Sequence, residues 1–225
     1  LGAAEECEDG SPISYSLKRP PICESVALAR ILELARQLGT RVHICHLSSK
    51  AGLEVLKAFR VMGVDVTAET APHYLGLIRE KMEERGPYAK VDPPLRAKED
   101  NDALLTGLKS GDIGIIASDH APHPREEKEM GWNNIDLAPS GMPGVETTLP
   151  FLLDLFARGA ISLPKIVRVL CENPAKMVGL YPRKGVLAPG SDADITIVDQ
   201  KNNFKVSEEN LLTETKWFSD FHHRY

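Results

Sequence analysis

Hydrophobic and polar positions along residues 22–118 alternate between a helical period and short apolar runs, which predicts helices interleaved with strands. A helical period covers residues 25–38 and stops at Gly39, a residue type that commonly ends helices. Residues 41–47 form a β-branched run typical of a buried strand. A second helix follows before Gly63, and its apolar positions are Leu53, Leu56, Phe59 and Met62.

Two further apolar runs, at residues 64–70 and 113–118, predict two more strands, with a helix around residues 102–108 between them. Each of the three strands ends in a polar cluster, at residues 46–49, 70–73 and 119–123. In parallel α/β folds, and in TIM barrels above all, chemistry collects at the C-terminal ends of the strands. All three clusters therefore lie where a functional site is expected.

The remaining part of the chain changes character twice. Residues 124–146 are polar and rich in Gly and Pro, which predicts a long loop over the same face. Helices are predicted at residues 147–158 and 163–180. Beyond them, turn residues and short alternating runs indicate a separate small β module, so we divide the chain into residues 1–182 and 183–225.

Composition narrows the classes of function. The 225 residues include 27 Lys+Arg and 32 Asp+Glu, a net charge of −5, and no basic run, which argues against a nucleic-acid partner. No apolar stretch reaches the roughly 18 residues of a membrane span, and the first residues lack a secretory signal, so a soluble cytoplasmic protein is expected. The cysteines lack CxxC spacing and are interpreted as reduced structural thiols: Cys7, Cys23, Cys45 and Cys171.

His46 and Asp119 are the strongest candidates for chemistry, because each closes an apolar strand. Imidazole and carboxylate groups bind Zn²⁺ while leaving a position open for water. The alternative is that each residue only caps its strand or loop. His43 lies an odd number of residues from His46, so strand alternation predicts that it faces the surrounding helices as a packed histidine.

Several segments resemble the dihydroorotases of the metal-dependent cyclic amidohydrolase superfamily. Ser-Asp-His-Ala-Pro-His at residues 118–123 resembles their eighth-strand motif, and His-Leu-Ser-Ser at 46–49 resembles their sixth-strand metal site. Asp-Pro-Pro-Leu-Arg at 92–96 is similar to the family's Asn-Pro-Pro-Leu-Arg loop. Residues 140–147 and 184–194 match the segments that lead out of the barrel and into the small β domain.

The resemblance implies a fold and an activity. The fold would be a partial TIM (β/α)8 barrel, with strands 5–8 and their helices, followed by part of a small β-sandwich. Family members bind one or two Zn²⁺ ions and interconvert the small molecules N-carbamoyl-L-aspartate and L-dihydroorotate in pyrimidine biosynthesis. The activity expected of the chain is therefore that of a zinc hydrolase of cyclic amides.

The resemblance also implies roles for individual residues. His46 would be a zinc ligand, and Asp119 would be both a ligand and the catalytic proton-transfer group. Glu6 stands where a zinc-binding histidine of the fifth strand is expected; in an alternative alignment Ala3 takes that place and supplies no ligand. The residues implied in substrate binding are His123, Asp92, which replaces the family's Asn, and the backbone of Pro143 and Gly144.

The chain also departs from the family pattern. It has neither the His-x-His pair of the first strand nor the Asp or carboxylated Lys of the fourth, so we expect the C-terminal half of a longer protein or a chain completed by association. The alternatives are an allantoinase or hydantoinase, and a noncatalytic dihydroorotase-like subunit that scaffolds aspartate transcarbamoylase. Glu6 and Asp92 favour the subunit, whereas His46, Asp119 and His123 favour the enzyme; a homo-oligomer is also compatible.

Overall fold

Three short parallel strands form the sheet, and helices connect them. The computed structural model describes residues 10–200, 206–207 and 209–213. The strands are β1 (Val42–Ile44), β2 (Val66–Thr70) and β3 (Ile115–Ile116), in the spatial order β1-β2-β3 with both pairs parallel. The α-helices are α1 (Pro12–Leu17), α2 (Pro21–Leu38), α3 (Lys50–Val61), α4 (Pro72–Gly76), α5 (Lys81–Arg85), α6 (Lys98–Ser110), α7 (Arg125–Glu129), α8 (Thr148–Ala157), α9 (Leu163–Val167) and α10 (Asn173–Met177). Short 3₁₀ turns cover Gly86–Ala89, Met130–Trp132 and Ile135–Leu137, and a π-helical turn covers Arg168–Glu172. The predicted α/β class is confirmed.

The two helices that flank β1 match their predictions closely. α2 ends at Gly39, whose φ of 62° is left-handed and whose N–H bonds to the carbonyl of Ala35. α3 begins after Ser49, whose hydroxyl accepts a hydrogen bond from the N–H of Gly52. A Cβ atom added to Gly52 would lie 2.6 Å from a carboxylate oxygen of Glu24 on α2. The two helices therefore pack closely together at this glycine.

The two faces of the sheet differ in burial. Along β2, Val66, Ala68 and Thr70 are buried, whereas Thr67 and Glu69 are partly exposed. Because successive strand residues point to opposite faces, the first set lies on the packed face and the second on an open, polar face. We call the face that carries Thr67 and Glu69 the inner face.

His43 lies on the inner face, which corrects the prediction that it packs against the helices. Its ring nitrogens contact the side chains of Thr67 and Glu69, while Ile44 beside it is buried in the hydrophobic core. The prediction assumed a regular strand from residue 43 to residue 46. The strand ends at Ile44, however, and His46 has a φ of 42°, so alternation does not extend to it.

The packed face forms one hydrophobic core with the helices, and several of its side chains are completely buried. These side chains are Leu32, Leu56, Leu104, Leu108 and Ile113. β3 is shorter than the predicted strand of residues 113–118, because only two of its residues pair with β2. Among the described residues, no helix combines the length and apolar character needed to cross a bilayer.

Residues 124–146 fold into a compact segment, so the predicted long loop is wrong in part. The segment contains α7 and two of the 3₁₀ turns. Lys128 has no exposed surface, and its ammonium donates to the carbonyls of Pro139 at 2.9 Å and Lys90 at 3.2 Å. The Lys90 ammonium donates in turn to the carbonyls of Ile135 at 3.0 Å and Ala138 at 2.6 Å. Two buried lysine side chains thus satisfy backbone groups that an open loop would leave to water.

The C-terminal part differs from its prediction in two ways. The helix predicted over residues 163–180 is divided into α9, the π-helical turn and α10. Residues 183–200 form turns and irregular segments and contain no strand, so the predicted β-sandwich is not confirmed there. Ile195 and Ile197 are 62% and 91% exposed, which is consistent with strand residues that lack a partner strand to pair with.

Candidate metal centre

His46 and Asp119 lie just beyond the C-terminal ends of β1 and β3, the two strands that flank β2. Both residues have left-handed backbone conformations, with φ of 42° and 49°, and among the described non-glycine residues only these two have positive φ. Such conformations cost on the order of 1–3 kcal/mol and cluster at functional sites. The two residues predicted to bind metal are therefore also the two with an unusual backbone.

His73 is a third member of this cluster, and no role was predicted for it. It follows the end of β2 in the first turn of α4, and it is 2% exposed. Its Nε2 atom lies 3.5 Å from Oδ2 of Asp119 and has no hydrogen-bond partner among the described residues. The signal that could have identified it is the polar cluster at residues 70–73, which ends the middle strand as the other two clusters end theirs.

The electrostatics of the cluster suit a cation. Burial, with a smaller contribution from the charge of His46, lowers the pKa of His73 to about 3, so its imidazole is neutral at physiological pH. Burial raises the pKa of Asp119, the charge of His46 lowers it, and the charge of Glu69 raises it, with a net upward shift. A neutral imidazole and a carboxylate that is half withdrawn from water are groups that a divalent metal stabilises.

The loop after His46 is held rigidly. The hydroxyl of Thr70 on β2 donates to the carbonyl of Leu47 at 2.7 Å. The carboxylate of Glu24 accepts hydrogen bonds from the N–H group of Ser48, at 2.9 Å, and from its hydroxyl. Arg96, which is also buried, donates to the Ser48 hydroxyl at 3.1 Å and lies 3.5 Å from the Glu24 carboxylate. A buried ion pair therefore fixes the chain directly after the candidate ligand.

Asp92 lies near this loop, in the segment that resembles the family's substrate loop. It is exposed, and with His46 and Arg96 it lines a cavity of about 340 Å³. The structure thus places Asp92 and His46 at the same opening, as a substrate-binding role requires. Glu6, the predicted replacement for a zinc ligand, lies outside the described residues.

The backbone N–H of Gly144 is engaged by the ring of His120 and is not free to bind a ligand. The N–H groups of Gly144 and Val145 both donate to Nδ1 of His120, at 3.1 and 3.3 Å. Nδ1 is therefore an acceptor, and the ring carries its hydrogen on Nε2. A Cβ atom at Gly144 would collide with the carbonyl oxygen of Ser118, so only glycine fits there. Pro143 and Gly144 are both buried, and their contact with substrate stays a prediction.

His123 has protein partners at both ring nitrogens. Nε2 lies 3.1 Å from the carbonyl oxygen of Ser140, and Nδ1 lies 3.4 Å from Oε2 of Glu127. The carbonyl can only accept, so Nε2 is the donor in that bond. Binding to a substrate carboxylate would require His123 to exchange one of these contacts, and its role in substrate binding stays a prediction.

Comparison with known proteins identifies the class to which this fold and cluster belong. The sequence pattern of the amidohydrolase family matches residues 13–221, and the chain belongs to that family. A dihydroorotase from Caldicellulosiruptor saccharolyticus is 41% identical over 198 residues, which cover 88% of this chain and 45% of the relative. An L-hydantoinase from Paenarthrobacter aurescens is 40% identical over 205 residues, which cover 91% of this chain and 45% of the relative.

Solved structures agree with this assignment. The L-hydantoinase (dihydropyrimidinase) from Arthrobacter aurescens matches with a TM-score of 0.83 at 36% identity, over 92% of this chain and 46% of its own. A D-hydantoinase from Bacillus sp. AR9 matches with a TM-score of 0.88 at 29% identity, over 100% of this chain and 52% of its own. The chain therefore spans about half the length of these relatives.

Proposed function

We propose that this chain carries part of the active site of a metal-dependent hydrolase of cyclic amides. The observation that carries the proposal is the position of His46 and Asp119 at the ends of β1 and β3, both with left-handed backbones, with the buried His73 from the end of β2 beside Asp119. Family membership supports the reaction class, because relatives named dihydroorotase and hydantoinase cover most of this chain. The rest of the proposed protein would supply the remaining ligands.

The residues present fit a divalent metal such as Zn²⁺. His46 and Asp119 would hold it, since imidazole nitrogen and carboxylate oxygen are its usual ligands in catalytic sites. The unpartnered Nε2 of His73, buried beside Asp119, is the polar atom that such a centre would explain. When bound, the metal supplies Lewis-acid activation of water and of the amide carbonyl.

The residues of this chain would move the proton and orient the reacting groups. Asp119, with a raised pKa, is suited to accept a proton from water and to deliver it to the departing ring nitrogen. His73 stays neutral, and its Nε2 lies near enough to Asp119 to form a hydrogen bond after a small shift and so orient the carboxylate. The buried pair of Glu24 and Arg96 would keep the loop after His46 in place during turnover.

Within this class we propose a dihydroorotase, with L-dihydroorotate and N-carbamoyl-L-aspartate as the substrate pair. The support is the Asp-His-Ala-Pro-His sequence at residues 119–123 and the 41% identity to a dihydroorotase. A hydantoinase is the second candidate, favoured by the 40% identity to an L-hydantoinase and by the structural matches. We further propose that residues 1–182 belong to the barrel and that residues 183–225 belong to a small β-sandwich.

The test is a substrate panel with the protein that carries this sequence at its full natural length. L-Dihydroorotate, hydantoin and allantoin are each assayed with Zn²⁺, and again after removal of metal by a chelator. We expect metal-dependent turnover that is fastest with dihydroorotate. Faster turnover of hydantoin would support the second candidate, and a fully metal-loaded protein inactive on all three would indicate the noncatalytic subunit.

A further inference from the structure

A second group of metal-ligand side chains lies on the inner face of the sheet and shares no residue with the cluster of His46, His73 and Asp119. The ligand atoms of His43, Cys45 and Glu69 all lie within 4.8 Å of one another. Nε2 of His43 and Oε2 of Glu69 are 3.1 Å apart. All three side chains are accessible from the inner face, because Cys45 is exposed and the other two are partly exposed.

The imidazole of His43 contacts its inner-face neighbours through both ring nitrogens. Its Nδ1 atom lies 2.8 Å from the hydroxyl oxygen of Thr67, which sits directly across in the register of β1 and β2. The Thr67 hydroxyl can donate or accept, so this contact holds the ring in place with either tautomer. Metal binding at Nε2 requires the tautomer in which Nδ1–H donates to Thr67, and bound metals commonly use the nitrogen opposite such a hydrogen bond. With Nδ1 engaged by Thr67, Nε2 is directed toward Glu69 and Cys45.

The charges around the thiol favour a cation. Among the described residues, the salt-bridge partner of Glu69 is His43, which carries charge only when it is protonated. A metal ion between these groups would supply a permanent positive charge beside Glu69, which no Lys or Arg of the described residues places there in a salt bridge.

We propose that His43, Cys45 and Glu69 form a binding site for a thiophilic divalent cation such as Zn²⁺ or Cd²⁺. Ligand atoms around tetrahedral Zn²⁺ are roughly 3.4–3.6 Å apart, given bond lengths of about 2.0–2.3 Å. Rotamer shifts of about an ångström would bring the three groups to that spacing. The thiol releases its proton to solvent on binding, and water occupies the fourth position. The thiolate excludes Mg²⁺ and Ca²⁺, which prefer oxygen ligands.

The test uses Co²⁺ as a spectroscopic probe, titrated into the whole chain. A thiolate-to-cobalt charge-transfer band is expected, and it should persist when the other three cysteines, Cys7, Cys23 and Cys171, are replaced by serine. Cys45→Ser should abolish the band, and Glu69→Gln should weaken Co²⁺ binding at least tenfold. Zn²⁺ should displace Co²⁺, whereas excess Mg²⁺ should not.

Two further experiments separate this proposal from a folding defect and from the proposed function. If Cys45→Ser does not fold, protection of Cys45 from iodoacetamide by Zn²⁺ in the unmodified chain serves instead, with Cys23 as the unprotected control. Asp119→Asn should keep the band although it removes the proposed hydrolysis, so this site and the proposed function fail separately. A band that survives Cys45→Ser, or equal protection of Cys23 and Cys45, would overturn the proposal.

Discussion

Nε2 of His73 lies 3.5 Å from Oδ2 of Asp119, and burial keeps that imidazole neutral. The pair brings the end of β2 next to the end of β3, although the two side chains do not form a hydrogen bond. Partners that orient a metal ligand typically contribute ten- to a hundredfold to metal affinity.

We expect His73→Phe to weaken Zn²⁺ binding at the proposed centre by about ten- to a hundredfold, because Asp119 loses its neighbour while the buried volume stays filled. Chelator competition measures the affinity, and urea unfolding checks the fold. Met82→Leu, a volume-conserving change at another fully buried residue, is the control and should leave affinity unchanged. An affinity equal to that of the parent protein would show that His73 serves only in packing.

Asp119→Asn tests the proton-transfer role. An amide can still bind weakly to a metal but cannot accept the proton, so we expect kcat to fall by at least about a hundredfold at every substrate concentration. The matched control is Asp102→Asn, whose carboxylate pairs with Lys98 on the exposed surface of α6. Turnover within about tenfold of the parent would mean that Asp119 is a loop cap.

His123→Ala tests substrate specificity. A charge-assisted hydrogen bond to the dihydroorotate carboxylate is worth about 1.5–3 kcal/mol, so kcat/KM for dihydroorotate should fall roughly ten- to a hundredfold. Hydantoin lacks that carboxylate, and its turnover should change little. Glu127→Gln separates the two roles, because it removes the charge beside Nδ1 and leaves the imidazole in place. Equal losses for both substrates would assign His123 to the loop.

Gly144→Ala tests the support of His120. The added methyl group would collide with the Ser118 carbonyl and displace the N–H that holds the imidazole, so unfolding free energy should fall by about 1–3 kcal/mol. Gly114→Ala is the matched control, since its Cβ would lie 3.5 Å from the Asn173 amide, an ordinary contact. Urea unfolding of both variants gives the comparison, and similar values for the two would contradict the packing seen at Gly144.

The buried Lys128 predicts a pH dependence of stability. Burial, and then the charge of Lys90, lowers its pKa from the usual 10.5 to about 7. Between these two pH values the unfolded chain binds more protons than the folded chain, so this group makes stability rise with pH from about 7 to about 10.5. In Lys128→Met that contribution disappears.

Urea unfolding at pH 7, 8.5 and 10 measures the effect. The difference in unfolding free energy between the parent and Lys128→Met should shift in favour of the parent as pH rises. Lys109→Met, at an exposed position of α6, is the control and should give a difference that does not change with pH. A constant difference for Lys128→Met as well would show that Lys128 titrates normally.

The sequence predicted which edge of the sheet carries the candidate site, but it did not identify every residue of the cluster there. Strand periodicity followed by polar clusters placed His46 and Asp119 correctly, because the C-terminal ends of parallel strands meet at one edge. His73 was missed because its burial depends on how α4 packs, which no local pattern records. The face of His43 was mispredicted because the left-handed turn at His46 is a property of the backbone and not of the residue period.

The predictions for two longer segments were not confirmed, for a different physical reason. Lys90 and Lys128 look like surface residues in a sequence, and only the tertiary fold shows that their ammonium groups satisfy buried carbonyls. The short strands predicted beyond residue 182 need partner strands, and hydrophobic alternation alone cannot supply them. In both segments, long-range contacts decided the local structure.

The left-handed backbones at His46 and Asp119 restrict which substitutions can reach a functional assay at all. Asn, Asp, His and Gly tolerate this conformation, whereas β-branched residues resist it strongly. In a saturation library, variants with Val or Ile at either position would therefore be destabilised by backbone strain, and their loss of activity would say nothing about metal binding. Asn would pass that filter at both positions, so Asn variants report on chemistry while Val variants report mainly on folding.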